Sequence, residues 1–278
     1  MPPIIACHPN SYGPYGALVA IEHIRDAGLE YIELPIHSPH IPSAAGDEPL
    51  VTTDSTLSQL NAVDRLLEQH QVRVSSCTCY AGNPQDPKVV DTICRKLDIA
   101  SHFGVLKAVA SAGSADEGPD RDGLLKNLRR IGDHAAKLGM TVCFDTQRGV
   151  CVNHREMLWL MRELEHPHLR INFDTGNLLF HNEGLYVETS LARICAYVKH
   201  LHLKDSMGRF QERYFPTLGT GGAVDFMQVY QLMRDCGFRG PYCIHIEGIE
   251  GEPELTLPEH HQRVKQSVEY LRSIGYFD

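Results

Sequence analysis

Short runs in which apolar and polar residues alternate recur along the chain, and each is followed by a longer stretch whose apolar positions have helical spacing. Alternation by two places successive side chains on opposite faces of a strand. On this basis strands are predicted at 3–8, 29–35, 72–79, 104–110, 140–146, 169–174, 197–204 and 241–247. Helices are predicted near 15–27, 55–70, 87–102, 121–138, 153–165, 185–196, 225–236 and 258–273. Asp54 and Ser55 read as the opening of the second helix, and Gly28, Gly139 and Gly237 follow helix ends. Eight strand–helix units with no low-complexity linker predict a single α/β domain over 1–278, a (β/α)8 TIM barrel. A doubly wound open sheet would want a glycine-rich loop after the first strand, and "ACHPNSYG" is not one.

The polar faces of these strands carry the chemistry. In "KHLHLKDS" (199–206), His200, His202 and Lys204 share one face, and Leu201 and Leu203 the other. The pattern repeats: Val142 and Phe144 oppose Cys143 and Asp145, Ile171 and Phe173 oppose Asn172 and Asp174, and Ile244 and Ile246 oppose His245 and Glu247. A surface strand would not repeat this on consecutive units, so the polar faces are predicted to point into the barrel, where strand C-termini converge. Asp145, Asp174, His202 and Glu247 then meet at one mouth. Three carboxylates crowded together repel or take up protons unless a cation joins them. One divalent ion, Mn²⁺, Mg²⁺, Co²⁺, Fe²⁺ or Zn²⁺, suits a mixed carboxylate–imidazole set. His200 and His245 lie a pleat deeper and are expected to be hydrogen-bonded interior groups or to support the metal ligands from behind. Lys204, Arg148, His8, Glu33, His37, Asn177 and Arg209 are the expected substrate contacts. "LGTGG" at 218–222 reads as a tight turn, and Asp205 as a loop-fixing residue.

Composition narrows the functional classes. A net charge of −9 over 278 residues weighs against a phosphodiester partner. The apolar runs are far too short to span a bilayer. The opening "MPPIIACHPN" has no basic region before a long apolar stretch, so no signal peptide and a cytoplasmic location are expected. Nine scattered cysteines are expected to be reduced thiols.

"INFDTGN", "VKHLHLKDS", "LGTGGAVDF" and "GFRGPYCIHIEG" resemble the xylose-isomerase-like barrels: sugar-phosphate isomerases and epimerases, ketose 3-epimerases and inosose dehydratases. "DPKVVDTICRKLDIASHFGV" extends the likeness ahead of strand four. The resemblance implies a metal held from strands five to eight, which carries over to Asp145, Asp174, His202 and Glu247. It also implies a homodimer or homotetramer. Two positions depart from the family: Asp145 stands where Glu is usual, and Asn177 where ketose 3-epimerases have His. The expected reaction is metal-dependent isomerisation or epimerisation of a keto sugar through an enediolate, with Glu247 and Asp145 as acid–base groups. The alternative is a dehydratase or lyase acting on a keto-inositol or keto-glycoside. An apurinic endonuclease is a remote reading, because "QERYFPTLG" lacks the histidine that family places after strand seven.

Overall fold

The computed structural model describes residues 3–39 and 46–278. Among the described residues eight parallel strands close into a barrel in chain order, with a small two-stranded antiparallel sheet outside it. The first four barrel strands are β1 (Ile5–Cys7), β2 (Tyr31–Pro35), β3 (Arg73–Thr78) and β4 (Lys107–Ala110). β5 (Thr141–Asp145), β6 (Leu169–Asp174) and β7 (Val198–Leu203) follow. β8 (Tyr214–Phe215) belongs to the small outer sheet, β9 (Tyr242–Ile244) closes the barrel against β1, and β10 (Gly248–Ile249) pairs with β8. Around them run α1 (Gly16–His23), α2 (Leu57–Gln69), α3 (Pro87–His102), α4 (Pro119–Lys137) and α5 (His154–Leu164). α6 (Thr175–His181), α7 (Val187–Ile194), α8 (Phe226–Asp235) and α9 (Leu257–Ser273) complete the outer layer.

The predicted barrel is present, with shorter elements and local additions. A 3-10 helix at Pro9–Tyr15 and the seven-residue α6 have no counterpart in the predicted pattern. α2 is opened not by Asp54 or Ser55 but by Thr56, whose hydroxyl accepts from Gln59 N while the Gln59 side chain returns a bond to Thr56 N. The last barrel strand ends at Ile244, so His245 and Glu247 lie beyond it. The expectation of reduced thiols is corrected at one pair: Cys195, after α7, and Cys236, at the end of α8, form a disulfide. Those helices pack side by side, which brings the two sulfurs together.

Apolar faces fill the space between strands and helices. Val142, Phe144, Ile171, Phe173, Leu201 and Leu203 are fully buried, as the alternation requires. Two register shifts interrupt the ladders, one between Ile32 and Glu33 and one between Ile171 and Asn172. Each places an extra residue on the facing strand, Ser75 in β3 and Lys199 in β7. The "LGTGG" turn folds back on Asp205, whose carboxylate accepts from Ser206 N at 2.9 Å and Val224 N at 3.4 Å. A Cβ on Gly222 would collide with that carboxylate, so only glycine fits there.

Candidate active site

The strand C-termini deliver a buried polar cluster centred on His202, which has no exposed surface. Its Nε2 donates to Glu33 Oε2 at 3.0 Å. Its Nδ1 faces Asp174 Oδ2 at 3.4 Å and Asp145 Oδ1 at 3.7 Å. Burial alone would favour the neutral ring, but Glu33 and the two aspartates outweigh it and raise the His202 pKa well above its ordinary value. Burial likewise opposes ionisation of Glu33, yet His202 and His200 hold it as a carboxylate. Glu33 also accepts from Thr78 Oγ1 at 2.5 Å.

Asp174 does two jobs with its two oxygens. Oδ1 caps α6 by accepting from Asn177 N at 2.8 Å. Oδ2 is buried without a hydrogen bond, and so are both ring nitrogens of His245. His245 Nδ1 lies 3.5 Å from that oxygen. Asp174, His202 and His245 therefore present one ligand atom each within 4.8 Å of one another. Orphaned lone pairs facing each other across a few ångströms fit a divalent cation, and Glu33 behind His202 is the carboxylate that orients a metal-binding imidazole. A second trio, Glu33, His202 and Cys243, meets the same distance criterion. Glu33 there is already committed to Thr78 and His202.

The two expected acid–base carboxylates have unlike surroundings. Asp145 is 2% exposed. It accepts from Asn172 Nδ2 at 2.5 Å, Tyr80 Oη at 2.7 Å and Gln147 Nε2 at 3.0 Å. Burial pushes its pKa up to about 6, against the pull of His202. Glu247 sits at the rim with its side chain 27% exposed and pairs with Lys204 Nζ at 2.8 Å. Burial raises its pKa, but Lys204 overcomes this and holds it well below the usual carboxylate range. Lys204 itself is 1% exposed, donates to Asn177 Oδ1 at 3.1 Å and lies 4.0 Å over the Phe215 ring.

A cavity of roughly 330 Å³ opens on this cluster, lined among others by His8, His37, Asp145, Asn177, His245 and Glu247. Lys204 reaches it through Glu247 and Asn177, while Glu33 lies beneath, behind His202. Arg148 and Arg209 are not brought in: both are exposed, and Arg209 pairs with Glu212 at 3.1 Å. Tyr80 and Gln147 carry no signal in the alternation, because the loops after β3 and β5 aim them, whereas Asn172 has the inward parity of Asp174 but is not among the expected contacts. His200 fits its expected interior role, bonding Ser76 Oγ and Asn172 Oδ1 at 2.9 Å each. His245 borders the cavity instead, with Nε2 3.0 Å from Glu247 Oε1 and Nδ1 3.5 Å from Asp174 Oδ2 but no hydrogen bond at either nitrogen.

Residues 21–274 match the model of the xylose isomerase-like TIM barrel family. The chain belongs to that family. Inosose dehydratase of Geobacillus thermodenitrificans is 28% identical over 53% of this chain and 53% of its own length. 3-Dehydroshikimate dehydratase of Pseudomonas putida is 32% identical over 69% of this chain but 30% of its own length. The chain thus spans about half or less of these curated relatives. A xylose isomerase-like barrel protein of Mycobacterium smegmatis, solved in complex with magnesium, superposes with a TM-score of 0.73 at 18% identity, covering 98% of this chain and 97% of that one. A D-psicose 3-epimerase solved in the presence of D-fructose reaches 0.76 at 12% identity, covering 98% and 99%. These likenesses establish the barrel. Both curated relatives are dehydratases.

Proposed function

We propose that this family member is a metal-assisted hydro-lyase, removing the proton next to a ketone and expelling a β-hydroxyl as water. The substrate class is a polyhydroxylated keto compound, a keto-inositol or a related ring. The observation that carries this reading is the inequivalence of the two carboxylates at the mouth. Two-face epimerisation works best with two groups of similar reach and basicity. Here Glu247 is kept ionised by Lys204, while Asp145 is short, pinned by three donors and titrates near 6. One permanent base and one group able to hold a proton suit an elimination instead.

Asp174, His202 and His245 would hold the cation, with Asp145 beside them. When bound, it would polarise the ketone and an adjacent hydroxyl oxygen. Glu247 takes the α-proton, and the C–H electron pair becomes the new C=C bond as the β C–O bond breaks. Asp145 delivers a proton to the departing oxygen, so water leaves. Lys204 and Asn177 hold Glu247 against the reacting carbon, and His8, stacked on His245 at 4.5 Å between ring centres, closes the far side. Elimination thereby moves ahead of the epimerisation expected first from the sequence.

The test is incubation in deuterated water with Mn²⁺ and a panel of inososes, 3-dehydroshikimate and free ketoses. Mass spectrometry then follows solvent deuterium and water loss together. Dehydrated product from at least one cyclic ketone is expected. Epimer with retained deuterium and no water loss would replace this reading with epimerisation.

A further inference from the structure

Lys96 takes no part in the chemistry above. It lies in the middle of α3, 1% exposed, and reaches the cavity wall beside His37, Ser38 and Tyr80. An ammonium has three N–H groups to satisfy. Among the described residues Lys96 donates to one acceptor, the Tyr80 carbonyl oxygen, and no carboxylate stands within ion-pair distance. Residues 40–45, His-Ile-Pro-Ser-Ala-Ala, contain no acid that could supply one. The contrast with Lys204, equally buried but paired with Glu247, is direct.

A buried charge without a counter-charge is costly, and the cost is relieved either by loss of the proton or by an anion that binds beside it. A second orphan lies on the same wall: Ser38 Oγ is buried with no hydrogen-bond partner among the described residues. The acids lining the cavity, Asp145 and Glu247, belong to the strand five and strand eight sides. On the β2–β3 side the cavity lining holds Lys96, Ser38 and the His37 ring and no carboxylate.

We propose that Lys96, with Ser38, is the recognition point for an anionic group on the substrate, a carboxylate or a phosphate, held on the β2–β3 side while the reacting carbons lie between Asp145 and Glu247. This rests on the reading of the cavity as the active site. It narrows the substrate class to acidic members, and it gives the ring a fixed orientation through a charge-assisted contact. Burial pulls the Lys96 pKa down to about 8, so the site holds its charge at neutral pH and loses it above that.

Calorimetry on the Mn²⁺-loaded protein separates this from the reaction itself, because it needs no turnover. Shikimate supplies a ring carboxylate, inorganic phosphate the alternative anion, and myo-inositol the uncharged control. The wild type should bind one of the two anions, and which one names the group. Lys96→Gln should weaken that binding roughly tenfold or more, and Lys96→Arg less. Ser38→Ala, a milder change that keeps the buried lysine, should weaken it several-fold. Absence of anion binding, or equal affinity in wild type and variants, overturns the proposal. Loss of dehydration on the ketone panel with Lys96-dependent anion binding intact would instead overturn the elimination reading alone.

Discussion

Lys204 is placed where one substitution removes three contacts, to Glu247, Asn177 and the Phe215 ring. It lies outside the trio proposed to hold the cation, so Lys204→Met should leave metal content unchanged and lower kcat/KM by roughly ten- to a thousandfold. Unchanged kinetics on a turned-over substrate would reject its role. Asp145 offers a stability test in the metal-free protein. Its folded pKa is raised from 3.8 to about 6, so the folded state holds the proton more tightly than the unfolded chain. That advantage is present below pH 3.8 and is lost as pH rises through about 6. Asp145→Asn abolishes the titration. Its stability relative to wild type should therefore rise between about pH 4 and pH 7, by up to about 3 kcal/mol, from two pKa units at roughly 1.4 kcal/mol each. Disrupted bonds to Tyr80, Gln147 and Asn172 shift the whole curve but not its slope. Urea denaturation across that range checks it, and a flat difference would show that Asp145 titrates normally.

At the scale of elements, what repeats was legible and what happens once was not. All eight barrel strands lie within their predicted spans, because alternation against a buried helix layer is enforced at every position. Alternation fails where the backbone leaves the ladder. β9 stops at Ile244, so parity, which placed His245 deeper than the ligands, does not foresee that its Nδ1 lies 3.5 Å from Asp174 Oδ2 or that Glu247 pairs with Lys204. α6 is too short to show a helical period, yet it is what ties up Asp174 Oδ1 and leaves Oδ2 bare. The junction of α6 with β7 yields its own prediction. A Cβ on Gly176 would lie 2.7 Å from Lys204 Cγ and 3.1 Å from the Lys204 carbonyl oxygen. Gly176→Ala must push Lys204 off Glu247, since the backbone side cannot yield. Activity should fall at least tenfold although no reacting group is changed, on the scale of a displaced catalytic contact. A Gly176→Ala enzyme with wild-type kcat would show that the Lys204–Glu247 pair is dispensable.

For the whole molecule, Glu33, Asp145, Asp174 and Glu247 gather at one end of a chain whose net charge is already −9. His202 and Lys204 offset part of that concentration, while Asp174 Oδ2 and the His245 ring face charged neighbours at 3.0–3.5 Å without a hydrogen bond. A cation bound only by the folded barrel stabilises it by mass action, about 2.7 kcal/mol at a hundred times its Kd. For a chain of this size each kcal/mol moves Tm by roughly 2–4 °C, so saturating Mn²⁺ should raise Tm by about 5–10 °C over chelated protein. The rise should vanish in Asp174→Asn and shrink in His245→Ala. Glu247→Gln should keep it, because Lys204 rather than the ion claims that carboxylate. A rise that survives Asp174→Asn would move the cation elsewhere in the molecule. One that is lost in Glu247→Gln but kept in His245→Ala would restore the ligand set expected from strand parity.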